Sequence, residues 1–157
     1  QVVHQAQVVP RAQMLDALRA EGFNPAVSVI LESGQALAGS AGMTSSAAIV
    51  AYDANALQVQ VTAAAPGYLV LSEVYYPGWR AWVDGAEAEI LRANYAFRAV
   101  AVPAGTHLVK MSFEPAPWRW GLVVAGLTAT LGLLATGFAA WSGRQGNRRR
   151  SEDAAQR

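Results

Sequence analysis

The sequence predicts a mainly β fold: a β-sandwich or jelly-roll-like domain with one short N-terminal helix, followed by a single C-terminal transmembrane α-helix. Two observations predict this class. Residues 120–143 form an uncharged apolar run, and residues 47–113 alternate between apolar and polar side chains in short segments separated by Gly, Pro and Asp. A short stretch near the start of the chain has instead the helical spacing of apolar residues.

The first 46 residues are predicted to form a strand, a helix, a second strand and a flexible loop. The strands cover residues 1–9 and 27–31. The helix covers residues 11–20 and follows Pro10, and Gly22 lies just beyond its end. Its apolar side is expected to consist of Met14, Leu15 and Leu18. Residues 32–46 are rich in Gly, Ser and Ala, which is typical of a mobile loop or a linker.

Residues 47–117 are predicted to form the β-sandwich domain. Leu57, Val59 and Val61 alternate with polar residues, as in a strand that is buried on one face. Asp84 and Gly85 form a dipeptide favoured in tight hairpin turns, where both central residues need positive φ. Further strands are predicted at residues 68–74, 79–83, 90–91, 96–102 and 107–113, with another turn at residues 103–105. Short strands with regularly spaced turns are typical of a β-sandwich or jelly roll.

The apolar run at residues 120–143 is long enough to cross a membrane. As a helix it measures about 36 Å, whereas a hydrocarbon core is about 30 Å thick. Residues 118–143 are therefore predicted to form the transmembrane helix, with the lipid bilayer as its partner. The flanking side chains are of the types found at membrane interfaces, and we expect these residues there: Trp118, Arg119, Trp120, Trp141 and Arg144.

Charge predicts the orientation of this helix. Residues 144–157 form a basic tail with Arg144 and residues 148–150, whereas only Arg119 closely precedes the run. On the positive-inside rule the tail is cytoplasmic and residues 1–117 are extracytoplasmic. Basic side chains in such a tail lie near anionic headgroups, and no basic stripe with aromatic residues occurs elsewhere, so no nucleic-acid partner is expected.

The composition excludes several kinds of site. The chain has no Cys, which excludes disulfides and thiolate metal sites. His4 and His107 are far apart in the sequence, so no metal site is expected. Asp84 is accounted for by its turn and Glu73 has no identifiable partner, so no pair of catalytic carboxylates can be assigned. We therefore expect no catalytic residue, no metal and no cofactor in this chain.

Residues 75–107 combine aromatic rings with arginines. Rings flanked by arginines can stack on sugars and bind phosphate or uronate groups. This pattern predicts a glycan or lipid-phosphate contact formed by Tyr76, Trp82, Arg92 and Arg98. The alternative is that most of these rings, Trp79 and Phe97 among them, pack in the core with the arginines over them.

Three blocks of the sequence carry a family resemblance. They are LVLSEVYYPGWRAWVDG at residues 69–85, LRANYAFRAVAVPAGTH at residues 91–107, and the Phe-Glu-Pro entry to the membrane helix at residues 113–115. In this order they resemble the C-terminal end of YfhO-type bacterial membrane proteins. VVHQAQVV at residues 2–9 and LRAEGFNPAVSVILES at residues 18–33 are similar to the segment that precedes that signature.

The resemblance implies the C-terminal part of a large membrane protein of the C-type glycosyltransferase class. Such an enzyme takes a sugar from a polyprenyl-phosphate donor and adds it to an extracytoplasmic acceptor such as a cell-wall polymer. Its catalytic carboxylate lies in an early loop that no position here matches, so no catalytic residue is carried over. Because the chain starts at Gln1 without a signal peptide, we expect earlier membrane helices of a longer protein as further partners.

Two alternatives remain open at this point. The domain would then be a non-catalytic, membrane-anchored carbohydrate-binding module, or a structural module that stabilises a bundle of membrane helices.

Overall fold

The computed structural model describes residues 1–39, 44–115 and 121–138. It contains two compact units, Gln1–Glu114 and Pro115–Arg157. The described strands all belong to the first unit, and in chain order they are β1 (Val2–Val3), β2 (Gln5–Val8), β3 (Ser28–Leu31), β4 (Leu37–Ala38), β5 (Ser46–Asp53), β6 (Ala56–Ala63), β7 (Gly67–Val74), β8 (Trp79–Val83), β9 (Ala86–Ala88), β10 (Leu91–Ala93), β11 (Phe97–Val102) and β12 (Gly105–Phe113). A 3₁₀ turn (Arg11–Gln13) leads into helix α1 (Met14–Arg19), and helix α2 (Gly121–Phe138) lies in the second unit. The prediction of a mainly β protein with a short N-terminal helix and a C-terminal apolar helix is confirmed.

The larger sheet curls round until its two ends meet. Its seven strands have the order β1-β7-β11-β10-β3-β2-β4, and β2 and β3 pair in parallel whereas the other strands pair antiparallel. β1 and β2 lie far apart in this order, yet only His4 separates them along the chain. The predicted single strand at residues 1–9 is therefore split at His4, because its two halves pair with different neighbours.

A hydrophobic cluster, which we call the concave core, fills the concave side of this curled sheet. Every strand from β1 to β3, together with β7, β10 and β11, contributes to it. The cluster consists of Val3, Ala6, Val29, Leu31, Tyr68, Val70, Leu91, Ala93 and Ala99. Strands from before and after residue 46 thus share one core, and the stabilisation comes from removing these side chains from water.

The smaller sheet packs on the other face of the curled sheet. Its order is β5-β6-β12-β8-β9, and all its neighbours are antiparallel. The predicted alternation holds here, since Leu57, Val59 and Val61 on β6 and Val109 and Met111 on β12 are all buried. They meet a second set of apolar residues from the curled sheet: Leu69, Leu71, Val100 and Val102. This is the inter-sheet core expected of a sandwich.

Helix α1 is shorter than the predicted helix, and its apolar side differs by one residue. Met14 is fully buried against Val9 and Ile30, and Leu18 packs on the same cluster. Leu15 is exposed, so its placement on the buried side was wrong. Met14 and Leu18 are four positions apart and share one helix face, whereas Leu15 lies about 100° further round.

Three strands, β4, β5 and β9, were not predicted individually, and of these β5 begins the region predicted to be the β domain. β4 lies inside the segment predicted to be a flexible loop, where the backbone of Leu37 and Ala38 pairs with β2. β9 pairs with β8 after a turn at Asp84 and Gly85. That turn is formed as the sequence predicts, with φ of 51° at Asp84 and 86° at Gly85.

Helix α2 is long and apolar enough to cross a membrane. Its eighteen residues measure about 27 Å as a helix, close to the thickness of a hydrocarbon core. The hydroxyls of Thr128, Thr130 and Thr136 donate hydrogen bonds to carbonyls one turn earlier, which satisfies them within the helix. The predicted interface residues Trp118, Arg119, Trp120, Trp141 and Arg144 lie outside the described residues, as does the basic tail.

Candidate functional site

The four predicted contact residues occupy three different places on the β domain. Arg92 and Arg98 are direct cross-strand partners on β10 and β11. Trp82 points away from the inter-sheet core on β8, and Tyr76 is exposed in the segment between β7 and β8. The structure brings the two arginines together and leaves the two rings on separate surfaces.

The two paired arginines are each neutralised by one carboxylate and stacked on one ring. Like charges directly opposite each other destabilise a sheet unless they are compensated. Arg92 Nε lies 2.9 Å from Glu32 Oε2, and its guanidinium carbon is 4.4 Å from the ring centroid of Tyr75. Arg98 pairs with Glu73, and its guanidinium carbon is 4.0 Å from the ring centroid of Trp79.

Arg98 is the buried member of this pair. Its side chain is 2% exposed, and its Nε and Nη1 have no hydrogen-bond partner within the described residues. Burial lowers the pKa of the Arg98 guanidinium, and the nearby phenol of Tyr52 partly offsets this effect. The sequence placed Arg98 at a ligand-binding surface, whereas the structure places it inside, where it can only position its neighbours Trp79 and Glu73.

Arg92 and Arg98 form an arginine cluster together with Arg11. Sequence reasoning did not single out Arg11 or its partner Glu32. Arg11 Nη1 lies 3.7 Å from the same carboxylate oxygen of Glu32 that Arg92 contacts. The guanidinium carbon of Arg11 is 5.2 Å from the ring centroid of Tyr95. Arg11 and Glu32 precede the predicted β domain in sequence, and they reach it because β3 pairs with β10. No local pattern signals this contact.

Trp82 lies on a charged outer face of the smaller sheet, which we call the Trp82 face. Its backbone partners on the flanking strands are Lys110 and Glu87, so their side chains share its face. The guanidinium carbon of Arg80 is 5.2 Å from the Trp82 ring centroid. Arg80 also forms ion pairs with Glu87 at 2.8 Å and with Glu114 at 3.3 Å, and these hold it beside the ring. Trp82 is half-buried, so part of its ring remains open to a ligand.

Tyr76 belongs to a group of rings at the end of the β domain where β12 finishes. Its ring centroid lies 6.0 Å from that of Phe113, and the ring centroid of Trp79 lies 5.6 Å from that of Phe113. Trp79 and Phe97 pack as partly buried residues against the inter-sheet core and the concave core, respectively. The core-packing interpretation therefore describes Trp79 and Phe97, while Tyr76 stays 62% exposed.

Two histidines form polar contacts elsewhere in the β domain. His107 Nδ1 lies 2.6 Å from Asp84 Oδ2, and this hydrogen bond raises the pKa of His107 and lowers the pKa of Asp84. His4 is buried, with Nε2 2.8 Å from Ser45 Oγ and Nδ1 3.1 Å from Pro66 O. Within the described ranges no group of three potential metal ligands occurs.

A groove of about 540 Å³ lies between α1 and strands β2, β3 and β4. Its lining combines small residues with larger apolar ones such as Phe23 and Leu37, and its long polar side chains are Gln5, Gln7 and Glu21. None of the four predicted contact residues lines this groove. It therefore offers no ionic partner for a phosphate comparable to the arginine cluster.

One comparison with known proteins identifies a family. The family model described as bacterial membrane protein YfhO matches residues 39–125, more than half of the chain, and this range runs from the end of β4 into helix α2. No curated protein matches the chain. No solved structure matches it either.

Proposed function

The chain belongs to the YfhO family of bacterial membrane proteins, and on this basis we propose that it is the C-terminal part of a membrane glycosyltransferase. The β domain lies on the extracytoplasmic side, and α2 is the last membrane helix. The enzyme takes a sugar from a polyprenyl-phosphate donor and transfers it to a glycan or polymer of the cell envelope. The catalytic carboxylate lies in an earlier loop of the longer protein, outside this chain.

The family match is the observation that carries this proposal, and the β domain supports a role in binding. Guanidinium groups pair with phosphate or uronate oxygens, and exposed rings stack on sugars. Arg92 is one-quarter exposed, at 24%, and remains stacked on Tyr75. Arg92, Trp82 and Tyr76 are therefore the residues proposed to contact glycan or lipid phosphate, each on its own part of the surface, and Arg98 positions the buried side of Trp79.

Transfer by the full-length protein tests the proposal. Membranes containing it are supplied with radiolabelled polyprenyl-phosphate glucose, mannose or galactose, and label in the envelope polymer is measured. We expect incorporation from one donor by the full-length protein and none by residues 1–157 alone. The assay requires membranes in which the protein is folded and the acceptor is intact. If no label is then incorporated from any donor, the assignment to this reaction is contradicted.

A second candidate is a carbohydrate-binding module without transferase activity, and the half-open Trp82 face favours it. A sugar stacked on Trp82 would be flanked by Arg80, Lys110 and Glu87, which can donate and accept hydrogen bonds. Loss of the ring removes stacking worth about 1 kcal/mol, so Trp82→Ala should weaken glycan binding by roughly fivefold to tenfold.

Retention of the chain on isolated cell-wall polysaccharide measures this effect. Tyr95→Ala is the matched control, because Tyr95 is an exposed ring away from the Trp82 face. Circular dichroism verifies that both variants fold. Equal retention of folded Trp82→Ala and wild-type protein would exclude the Trp82 face as the glycan site.

A further inference from the structure

The exposed large apolar side chains of the β domain are unevenly distributed. Three of the most exposed ones lie at the end where β7 and β12 finish: Tyr52 at 66%, Val74 at 68% and Tyr76 at 62%. Half-buried Trp79 and Phe113 adjoin them through ring contacts. We call this set of five residues the aromatic end.

The contacts of the aromatic end join its members into one surface. Val74 is the cross-strand partner of Phe97, next to Arg98, and Tyr52 is the cross-strand partner of Leu57, which pairs with Met111 near the end of β12. Arg98 in turn stacks on Trp79, which leads to Phe113 and Tyr76. Contiguous exposed apolar surface on a protein marks a site that something else covers.

The opposite end of the β domain has the polar character of a surface in water. It carries the turns at residues 84–85 and 103–105, with the Asp84–His107 pair and exposed Ala104 and Thr106. No large apolar side chain in these turns is among the exposed ones. The two ends of the β domain therefore differ in character, while Ile49 and Val50 in the middle of β5 are also exposed, at 59% and 57%.

We propose that the aromatic end of the β domain lies in the lipid headgroup layer of the membrane. Chain order supports this occupant, because Phe113 is the last residue of β12 and the apolar helix starts eight positions later at Gly121. An extended chain covers at most about 3.6 Å per residue, so this tether spans no more than roughly 29 Å. Tyr and Trp rings, with one apolar and one polar side, are the side chains that favour the headgroup layer.

The cysteine-free sequence permits a direct test. Tyr76→Cys and Tyr52→Cys each place a single thiol at the aromatic end, and Ala104→Cys places one at the opposite end as the matched control. Each variant of residues 1–157 is labelled with a polarity-sensitive dye and reconstituted in vesicles of phosphatidylethanolamine and phosphatidylglycerol. Two quenchers are then compared: a lipid with a nitroxide on its headgroup, and aqueous iodide.

We expect the nitroxide lipid to quench most of the fluorescence at positions 76 and 52, and iodide to quench mainly position 104. Quenching of positions 76 and 52 by iodide alone would overturn the proposal, because the aromatic end would then be free in water. Protection from both quenchers would also overturn it, because protein and not lipid would cover this end. The result does not depend on sugar transfer, so it can fail or succeed separately from the proposed function.

Discussion

At the scale of single residues, Arg98 shows how a surface-type side chain is held inside a sandwich. Desolvation of a guanidinium costs several kcal/mol, and here it is offset by one carboxylate and one aromatic face. The compensation is incomplete because Nε and Nη1 lack partners in the described part of the chain. Glu73 is 31% exposed and can still be hydrated, so the two members of the ion pair are not equivalent.

Because of this difference, removing Glu73 is expected to lower the free energy of unfolding more than removing Arg98. Glu73→Ala leaves a buried, unpaired guanidinium and should lower the free energy of unfolding by about 2–4 kcal/mol. Arg98→Met keeps an apolar chain over Trp79 and leaves a carboxylate that water can reach, so it should change stability by less than about 1 kcal/mol. Urea unfolding in detergent micelles, followed by circular dichroism, measures both values.

Arg80→Met is the matched control for this comparison. Arg80 likewise forms ion pairs, here with two carboxylates, yet its side chain is 46% exposed, where ion pairs contribute little. We expect its unfolding curve to overlie that of the wild type. A larger loss in Arg98→Met than in Glu73→Ala would show that the guanidinium stabilises the sandwich outright.

At the scale of elements, His4 holds together segments that are distant in sequence. His4 lies between β1 and β2. It contacts Pro66, the residue before β7, and Ser45, the residue before β5. Gly67 makes this approach possible, since a Cβ there would lie 2.6 Å from Val3 O and 2.8 Å from His4 Nδ1. The curled sheet is therefore closed by a buried polar contact as well as by its core.

Ser45→Ala tests this closure. The Ser45 hydroxyl accepts a hydrogen bond from the Ala64 amide and contacts His4 Nε2, so its loss leaves two polar groups without their partner. We expect a decrease in the free energy of unfolding of about 1–3 kcal/mol. The neighbouring Ser46 is exposed, and Ser46→Ala should stay within about 0.5 kcal/mol of the wild type. Equal values for the two variants would refute a closing role for Ser45.

A second contact between elements depends on pH. The Asp84 carboxylate in the β8–β9 turn accepts hydrogen bonds from the Leu108 amide and from His107 on β12. The pKa of His107 is raised above its ordinary 6.5, so its stabilising effect is complete below that pH and is lost as pH rises through the raised pKa. The pKa of Asp84 is lowered below its ordinary 3.8, so its effect is complete above that pH and is lost as pH falls.

The contribution of this pair is therefore greatest between pH 3.8 and 6.5. We predict that His107→Gln lowers the thermal unfolding midpoint more at about pH 5 than at about pH 8. Thr106→Ala, next to it on β12, removes no titratable group, so its shift should be the same at both pH values. A pH-independent shift in His107→Gln would mean that the His107–Asp84 bond does not require the charged imidazole.

Elements whose pattern is local were predictable from the sequence, and contacts that depend on distant pairing were not. Alternation on β6 and β12 and the turn at Asp84 are visible in a few adjacent residues. The split at His4 and the pairing of β4 depend on partners elsewhere in the chain. Arg98 looked like a surface residue because nothing adjacent to it in sequence reveals Trp79 and Glu73 around it.

At the scale of the whole molecule, the family match and the apolar helix indicate a membrane protein, and its orientation in the membrane is a prediction from charge. The arginines of residues 144–150 cluster after the apolar run, and positive charge is retained on the cytoplasmic side. The predicted orientation would place the β domain, with its arginine cluster and Trp82 face, on the side where a cell-envelope acceptor would be.

We predict that a fluorescent protein fused after Arg157 folds in the cytoplasm and that alkaline phosphatase fused at the same place is inactive, because phosphatase needs the extracytoplasmic side. Single cysteines give the matching readout in the protein as bacteria make it. Ala104→Cys should react with a membrane-impermeant maleimide in intact spheroplasts, and Ala155→Cys only after the membrane is permeabilised. Labelling of Ala155→Cys in intact spheroplasts, with Ala104→Cys protected, would reverse the orientation. The β domain would then face the cytoplasm, where it could not meet an envelope acceptor, and the proposed function would have to be abandoned with it.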